Sequence, residues 1–260
     1  MSKQGATTAV AKSKRPGKPF PFLALPPELR DYIYELALTD SNGVMLVPRT
    51  KSYRRIVTRG PISGGYNRGG YRYKHLAVDN QESQANQATA VHNGFAPALL
   101  AVSKQIHSEA VGYLYKQSII LSDTMALHNF IAAIGSKRPL VTNLTIKEWG
   151  HGRGAHKAMN FSALTLLAEC TNLQTLTLDC HVLDARTGKY LARQIFRDGF
   201  RFFEAFGTAH GRKDAALDIL KLSDECIGHH GYVNSIERDQ LEADVYAEFR
   251  KLLGCNEREL

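Results

Sequence analysis

Apolar residues recur at helical spacing in two stretches of the chain that a long polar segment separates. Leu29, Ile33 and Leu36 form the first apolar stripe, directly after a pair of prolines. The second stripe runs through 97–115, where the apolar positions are Leu99, Val102, Ile106, Ala110, Tyr113 and Leu114. The spacing predicts helices over 27–38 and 97–115. We expect their two apolar stripes to face each other as one helical unit.

Short apolar runs predict strands, two of them at 44–47 and 119–121. Three further runs carry apolar residues at their first, fourth and sixth positions: 141–146, 173–178 and 217–222. Helix candidates lie at 124–134, 161–169, 190–210 and 236–253. Alternation of strands and helices around an L-x-x-L-x-L core is typical of a leucine-rich-repeat-like layer or of a plain parallel α/β layer. The predicted fold class is therefore α/β, with mixed α and β elements.

Composition divides the chain into four parts. Residues 1–20 are too poor in apolar side chains to offset ordering entropy, and we expect a disordered basic tail. The helical unit comprises 21–48 and 97–122. Residues 49–96 form an insert whose first part is rich in Gly, Tyr and Arg and whose second part is polar. A strand/helix layer with a C-terminal helix occupies 123–260. A structureless insert of this length within a compact domain is either functional or disordered.

Positive charge is concentrated outside the predicted body of the protein, although the net charge of the 260-residue chain is +8. Residues 1–20 contain five basic residues and 49–75 contain eight, and neither stretch contains an acid. When these 13 basic residues are set aside, the rest of the chain has 20 basic residues and 25 acidic ones. The body is thus mildly acidic, and the tail and insert supply the excess positive charge.

Two segments resemble a known family. Residues 25–34 read L-P-P-E-L-R-D-Y-I-Y, and 99–110 read L-L-A-V-S-K-Q-I-H-S-E-A. These are similar to the paired motifs of fungal F-box-like proteins, a family of largely unassigned activity. The resemblance implies an F-box-like helical unit joined to an irregular α/β layer. F-boxes pack onto the Skp-type adaptor of a cullin-RING ubiquitin ligase, which implies these docking residues: Leu25, Pro26, Glu28, Leu29, Ile33, Leu99, Val102 and Ile106.

The insert supports an alternative function in RNA or DNA binding. Arginine neutralises phosphate and stacks on bases, tyrosine offers an aromatic face, and glycine keeps the chain pliable. The candidate residues in 49–75 are Arg54, Arg55, Arg59, Arg68, Arg72, Tyr66, Tyr71 and Tyr73. A solvated basic loop, or a pair of strands within the domain, also fits this composition.

Catalytic and metal-binding signals are weak. The sequence contains no G-x-S-x-G, S-x-x-K or H-E-x-x-H motif, and no phosphate-binding loop of the Walker type. One candidate for a hydrolytic cluster follows the second repeat-like run and consists of Asp179, Cys180, His181 and Asp184. The candidate metal ligands are four histidines, His151, His156, His229 and His230. Neither group has the spacing of a known site. We therefore expect a non-catalytic protein without cofactor or metal.

Cysteine usage and hydropathy predict an intracellular location, cytoplasmic or nuclear. The four cysteines have no C-x-x-C spacing, which favours free thiols in a reducing compartment. No apolar run approaches the length of a membrane span, and the N-terminus has no apolar signal region. The expected partners are proteins: a Skp-type adaptor and a client that the sequence does not identify. The alternative partner is a nucleic acid, and no membrane partner is expected.

Overall fold

The computed structural model describes residues 20–60, 95–150, 155–182, 187–227 and 235–255. Six strands form one sheet in the order β2-β1-β3-β4-β5-β6, with β2 antiparallel to β1 and all other neighbours parallel. The strands are β1 Val44–Lys51, β2 Arg54–Arg59, β3 Ser118–Leu121, β4 Asn143–Ile146, β5 Thr175–Leu178 and β6 Leu220–Leu222. The α-helices among these residues are α1 Pro27–Leu38, α2 Lys104–Lys116, α3 Thr124–Ile134, α4 Ala155–Leu167, α5 Gly188–His210, α6 Ala215–Ile219, α7 Asp224–Ile227 and α8 Ser235–Leu252. The predicted α/β class is confirmed.

The main hydrophobic core lies between one face of the sheet and a layer of helices. Because side chains alternate along a strand, every second residue points to the same face. Ile119, Leu144, Leu176 and Leu220 lie side by side across four parallel strands and are buried. Side chains of α3, α4, α5 and α8 join them in one cluster. The strand and helix alternation that the sequence predicts over 119–253 thus forms this core.

The predicted continuous helix at 97–115 is wrong, because the chain breaks at Ser103. A 3₁₀ helix spans Pro97–Ala101, and the Ser103 backbone is extended. The Ser103 side chain then accepts a hydrogen bond from the Ile106 amide at 3.2 Å, which caps the first turn of α2. Leu99 and Val102 therefore precede α2, and only the C-terminal part of the predicted stripe is α-helical.

The predicted strand at 217–222 is also only partly right. Residues 215–219 form α6, and β6 has just three residues, with Leu220 and Leu222 buried. Leu217 is buried from the helix rather than from the strand. An apolar run of this length fits either structure, and here the chain changes from one to the other within it.

The first strand extends well beyond its predicted end and turns back as a hairpin. β1 continues through Pro48 to Lys51, and β2 returns after a two-residue turn. Pro48 is tolerated because the pairing of β1 with β3 ends at Leu46, so no N–H is needed on that side beyond it. Residues 49–59 of the predicted insert thus belong to the edge of the sheet. The rest of the insert at 61–94 and the tail at 1–19 lie outside the described residues.

Candidate functional site

Helices α1 and α2 pack against each other around a small second core. Tyr34 and Leu38 of α1 and Ile106 and Ala110 of α2 are each at most 4% exposed. The Tyr34 ring also lies 6.2 Å from that of Tyr113, centroid to centroid. The two helices therefore form one unit, as the sequence predicts, despite the 65 residues between Leu38 and Lys104.

A polar cluster links the same two helices beside this core. Arg30 binds both carboxylate oxygens of Glu109, with Nε–Oε2 at 3.0 Å and Nη2–Oε1 at 3.1 Å. Tyr34 Oη donates to Glu109 Oε2 at 2.8 Å, and Arg30 Nη1 donates to the Leu25 carbonyl at 2.9 Å. Hydrogen bonds from Gln105, Tyr34 and Arg30 lower the pKa of Glu109. Burial, and then the bond to Glu109, raise the pKa of Tyr34 to about 12.

Gln117 connects this helical unit to the start of the sheet. Its Nε2 donates to the carbonyls of Leu38 and Leu114, both at 2.9 Å, and its Oε1 accepts from the Asp40 amide at 3.0 Å. Gln117 thus supplies a side-chain donor to carbonyls at the C-terminal ends of both helices, which have no intrahelical partner. Gln117 directly precedes β3, and Asp40 lies four residues before β1, so these hydrogen bonds attach the helical unit to the start of the sheet.

The stripe predicted to face α2, formed by Leu29, Ile33 and Leu36, is divided in the structure. Ile33 is half-buried, whereas Leu29 and Leu36 point to solvent together with Tyr32. Leu29, Tyr32 and Leu36 are 51%, 61% and 56% exposed. Their spacing of three and four residues places them on one face of α1. The face that packs on α2 carries Tyr34 and Leu38. Helix α1 therefore has two apolar faces, of which one has no partner within the part of the chain that the structure describes.

The residues implied as docking residues fall into two groups. Pro26 forms the N-cap of α1, and Glu28 lies in its first turn, both exposed like Leu29 and Val102. The half-buried or buried members are Leu25, Ile33, Leu99 and Ile106. Of these, Leu99 and Ile106 belong to the second core and hold the two helices together. Sequence reasoning did not place Tyr32 and Leu36 in the docking set, although their spacing from Leu29 gives the signal.

The candidate nucleic-acid residues are also divided. Arg54 and Arg55 are exposed on β2. Arg59 is half-buried, because its Nη2 lies 2.5 Å from Asp40 Oδ2 and its guanidinium lies 4.6 Å from the ring centre of Phe95. Arg59 is thus engaged within the fold. The remaining candidates, Arg68, Arg72, Tyr66, Tyr71 and Tyr73, lie outside the described residues.

The polar residues after β5 form a structural contact. Asp179 pairs with Lys147, which follows β4. Burial alone would raise the pKa of Asp179, but the hydrogen bond and the positive charge of Lys147 help to lower it overall. Burial raises the pKa of the adjacent Cys180 thiol well above its ordinary value. Such a thiol is a poor nucleophile, because the thiolate is the reactive form.

Groups that could hold a metal ion are absent from the described part of the chain, where no three His, Cys, Asp or Glu side chains converge. Asp184 and the histidines at 151, 229 and 230 lie outside the described residues, as does the side chain of His156. None of the helices in the described ranges is both long and apolar enough to cross a membrane.

Comparison with known proteins yields one match. Residues 18–139 match the model of a domain of unknown function, DUF7730. The matched range runs from before α1 to the 3₁₀ helix Gly135–Leu140 and includes both members of the helical unit and the β1–β2 hairpin. No curated protein and no solved structure matches the chain.

Proposed function

We propose that the chain is a non-catalytic protein-interaction module whose helix α1 binds a Skp-type adaptor, as its resemblance to F-box-like proteins implies. The observation that supports this proposal is the exposed stripe of Leu29, Tyr32 and Leu36. Nine large apolar side chains among the described residues are exposed, and six of them lie in 20–36 or at Val102. Three of these six lie on α1 itself, and exposed apolar side chains gathered in one short segment are typical of a protein-binding surface.

The surroundings of the stripe also fit an interface. Glu28 and Glu35 are exposed and lie four residues before and three residues after Tyr32, so they flank it on the helix surface. Interfaces commonly combine an apolar centre with a polar rim. We therefore expect the partner to offer an apolar groove with basic or hydrogen-bond-donating side chains at its edge.

The second core explains how the stripe stays available for a partner. Tyr34 and Leu38 bind α1 to α2, and Arg30 is held by Glu109, so α1 is already ordered in the free protein. Binding then requires little loss of conformational entropy, which improves affinity for a given area of contact.

The strand/helix layer is the proposed client-binding part. Ile120, Thr145, Thr177 and Lys221 lie side by side on the sheet face opposite to the main core and are half-buried or exposed. A surface of this kind is separate from the α1 stripe. One chain could therefore hold a client and an adaptor together, which is the role of an F-box-type substrate adaptor in a cullin-RING ubiquitin ligase.

The decisive experiment measures binding of the purified chain to a purified Skp-type adaptor. Burying half of a leucine side chain contributes about 1 kcal/mol, and burying an unpaired carboxylate costs several kcal/mol more. Leu36→Asp should therefore weaken binding at least about 100-fold. Its thermal unfolding should remain nearly unchanged, because Leu36 is largely outside the core.

Tyr190→Asp is the matched control, because Tyr190 is 47% exposed and lies at the start of α5, outside the helical unit. This variant should bind like the unmodified chain. The proposal fails if the unmodified chain does not bind the adaptor, or if Leu36→Asp binds as tightly as Tyr190→Asp.

A further inference from the structure

The tip of the β1–β2 hairpin concentrates positive charge. Its four exposed cations are Arg49, Lys51, Arg54 and Arg55. The hairpin contains no acidic residue, and within the described ranges no acid forms an ion pair with any of these four. The fifth cation of the hairpin, Arg59, is already paired with Asp40.

Strand register places three of the cations on one face. Lys51 and Arg54 are directly opposite each other, and Arg49 precedes Lys51 by two residues. Their β-carbons are therefore roughly 5 Å apart across the pair and about 7 Å apart along the strand. Like charges in opposed positions destabilise a hairpin. A cost of this kind is offset when an anion binds across the pair.

The turn between the strands is strained and presents an aromatic ring. Ser52 and Tyr53 have φ values of 49° and 61°, a region that glycine and asparagine favour in two-residue hairpin turns. Tyr53 is fully exposed. Backbone strain at an exposed tip is a feature from which a functional hypothesis can be drawn. Here the strained position holds Tyr53, the one aromatic side chain of the hairpin, which can stack on a base.

We propose that this tip binds single-stranded nucleic acid. Arg49, Lys51 and Arg54 contact the phosphates, and the ring of Tyr53 stacks on a base. An exposed ring beside closely spaced cations favours a single strand, since the bases of a single strand are accessible for stacking. The surface differs from the α1 stripe, so this inference does not depend on adaptor binding.

The test measures binding of the full chain to a labelled oligo-uridine by fluorescence anisotropy at several salt concentrations. Replacing the three cations of one face, Arg49, Lys51 and Arg54, by alanine should weaken binding strongly. It should also reduce the slope of log affinity against log salt by about 2, because each phosphate contact to a single strand contributes roughly 0.7. The charge-matched control replaces three exposed lysines elsewhere, Lys104, Lys189 and Lys213, by alanine, and should keep the slope.

Tyr53 separates stacking from charge. Tyr53→Gly should lower affinity about tenfold or more without changing the salt slope, since stacking on an aromatic ring accounts for that much binding. The same change relieves the left-handed strain, so the variant should be at least as stable as the unmodified chain. Tyr53→Phe keeps the ring and should retain affinity.

Four outcomes would overturn the proposal. The unmodified chain fails to bind the oligonucleotide at low salt, or the hairpin triple variant binds like its charge-matched control. Alternatively, Tyr53→Gly binds like the unmodified chain, or a duplex or poly-glutamate competes as well as the single strand. The last result would assign the tip to another class of anionic partner.

Discussion

Leu36 and Leu38 lie two residues apart on α1, and their truncation to alanine is predicted to destabilise the fold by clearly different amounts. Leu38 is fully buried in the second core, and Leu36 is 56% exposed. Leu→Ala at a buried site costs about 2–5 kcal/mol, from lost transfer free energy and from the cavity that remains. We expect Leu38→Ala near the lower end of this range, because the second core is small and can partly collapse.

Leu36→Ala removes a side chain that is already about half in water. Its cost should not exceed about 1 kcal/mol. The free energies of unfolding of the two variants should therefore differ by at least about 1 kcal/mol. If α1 instead packed on α2 through the face that carries Leu36, then Leu36→Ala would lower the free energy of unfolding more than Leu38→Ala.

The assay is urea unfolding followed by two probes. Trp149 is the only tryptophan, and it is 1% exposed in the main core, so its fluorescence reports that core. Far-ultraviolet circular dichroism reports all helices, including α1 and α2. If the helical unit unfolds on its own, Leu38→Ala shifts only the dichroism transition. Equal effects of the two variants, or a larger effect of Leu36→Ala, would refute the assignment of the two faces of α1.

Three further predictions follow from the polar cluster and the buried thiols. Tyr34→Phe should lower the free energy of unfolding by about 1–2 kcal/mol in urea titrations, because it removes a hydrogen bond to a charged acceptor. The pKa of Glu109 is lower in the folded chain than its ordinary value of 4.5, so the ionised carboxylate stabilises the fold above that pH. Thermal stability should therefore decrease as the pH falls below 4.5, and the decrease should be smaller in Glu109→Gln. Burial raises the pKa of Cys226 to about 12, so a thiol reagent near neutral pH should modify half-buried Cys255 first and Cys226 only after denaturant is added.

Periodicity in the sequence identified the elements of the fold better than their orientation. The spacing of Leu29, Ile33 and Leu36 predicts a helix, and α1 is present. Periodicity does not decide between two apolar faces of one helix, and Tyr34 is polar at one end, so its burial was not anticipated. Which face of α1 packs on α2 depends on Glu109, which is 79 residues from Arg30 in the sequence. The two side chains come together only in the folded chain.

Local chemistry accounts for the other differences. Ser103 carries a readable capping signal, since serine before a helix accepts an amide hydrogen bond, and it marks where the 97–115 prediction fails. In β2, the β-branched residues Ile56, Val57 and Thr58 favour a strand, but the surrounding arginines are equally compatible with a solvated basic loop, so the sequence leaves both open. The ion pair of Arg59 with Asp40 could not be inferred from the sequence, because it requires the hairpin to form.

Thiol labelling along α1 tests most directly whether its outer face is an adaptor-binding surface. A Cys255→Ser background leaves only buried native thiols, at Cys170, Cys180 and Cys226. In that background, Leu36→Cys should react with a thiol reagent nearly as fast as an unfolded peptide, and Leu38→Cys should react slowly. Adding a purified Skp-type adaptor should then protect the thiol at position 36. Slow labelling at that position in the free chain, or labelling that the adaptor leaves unchanged, would contradict the proposal.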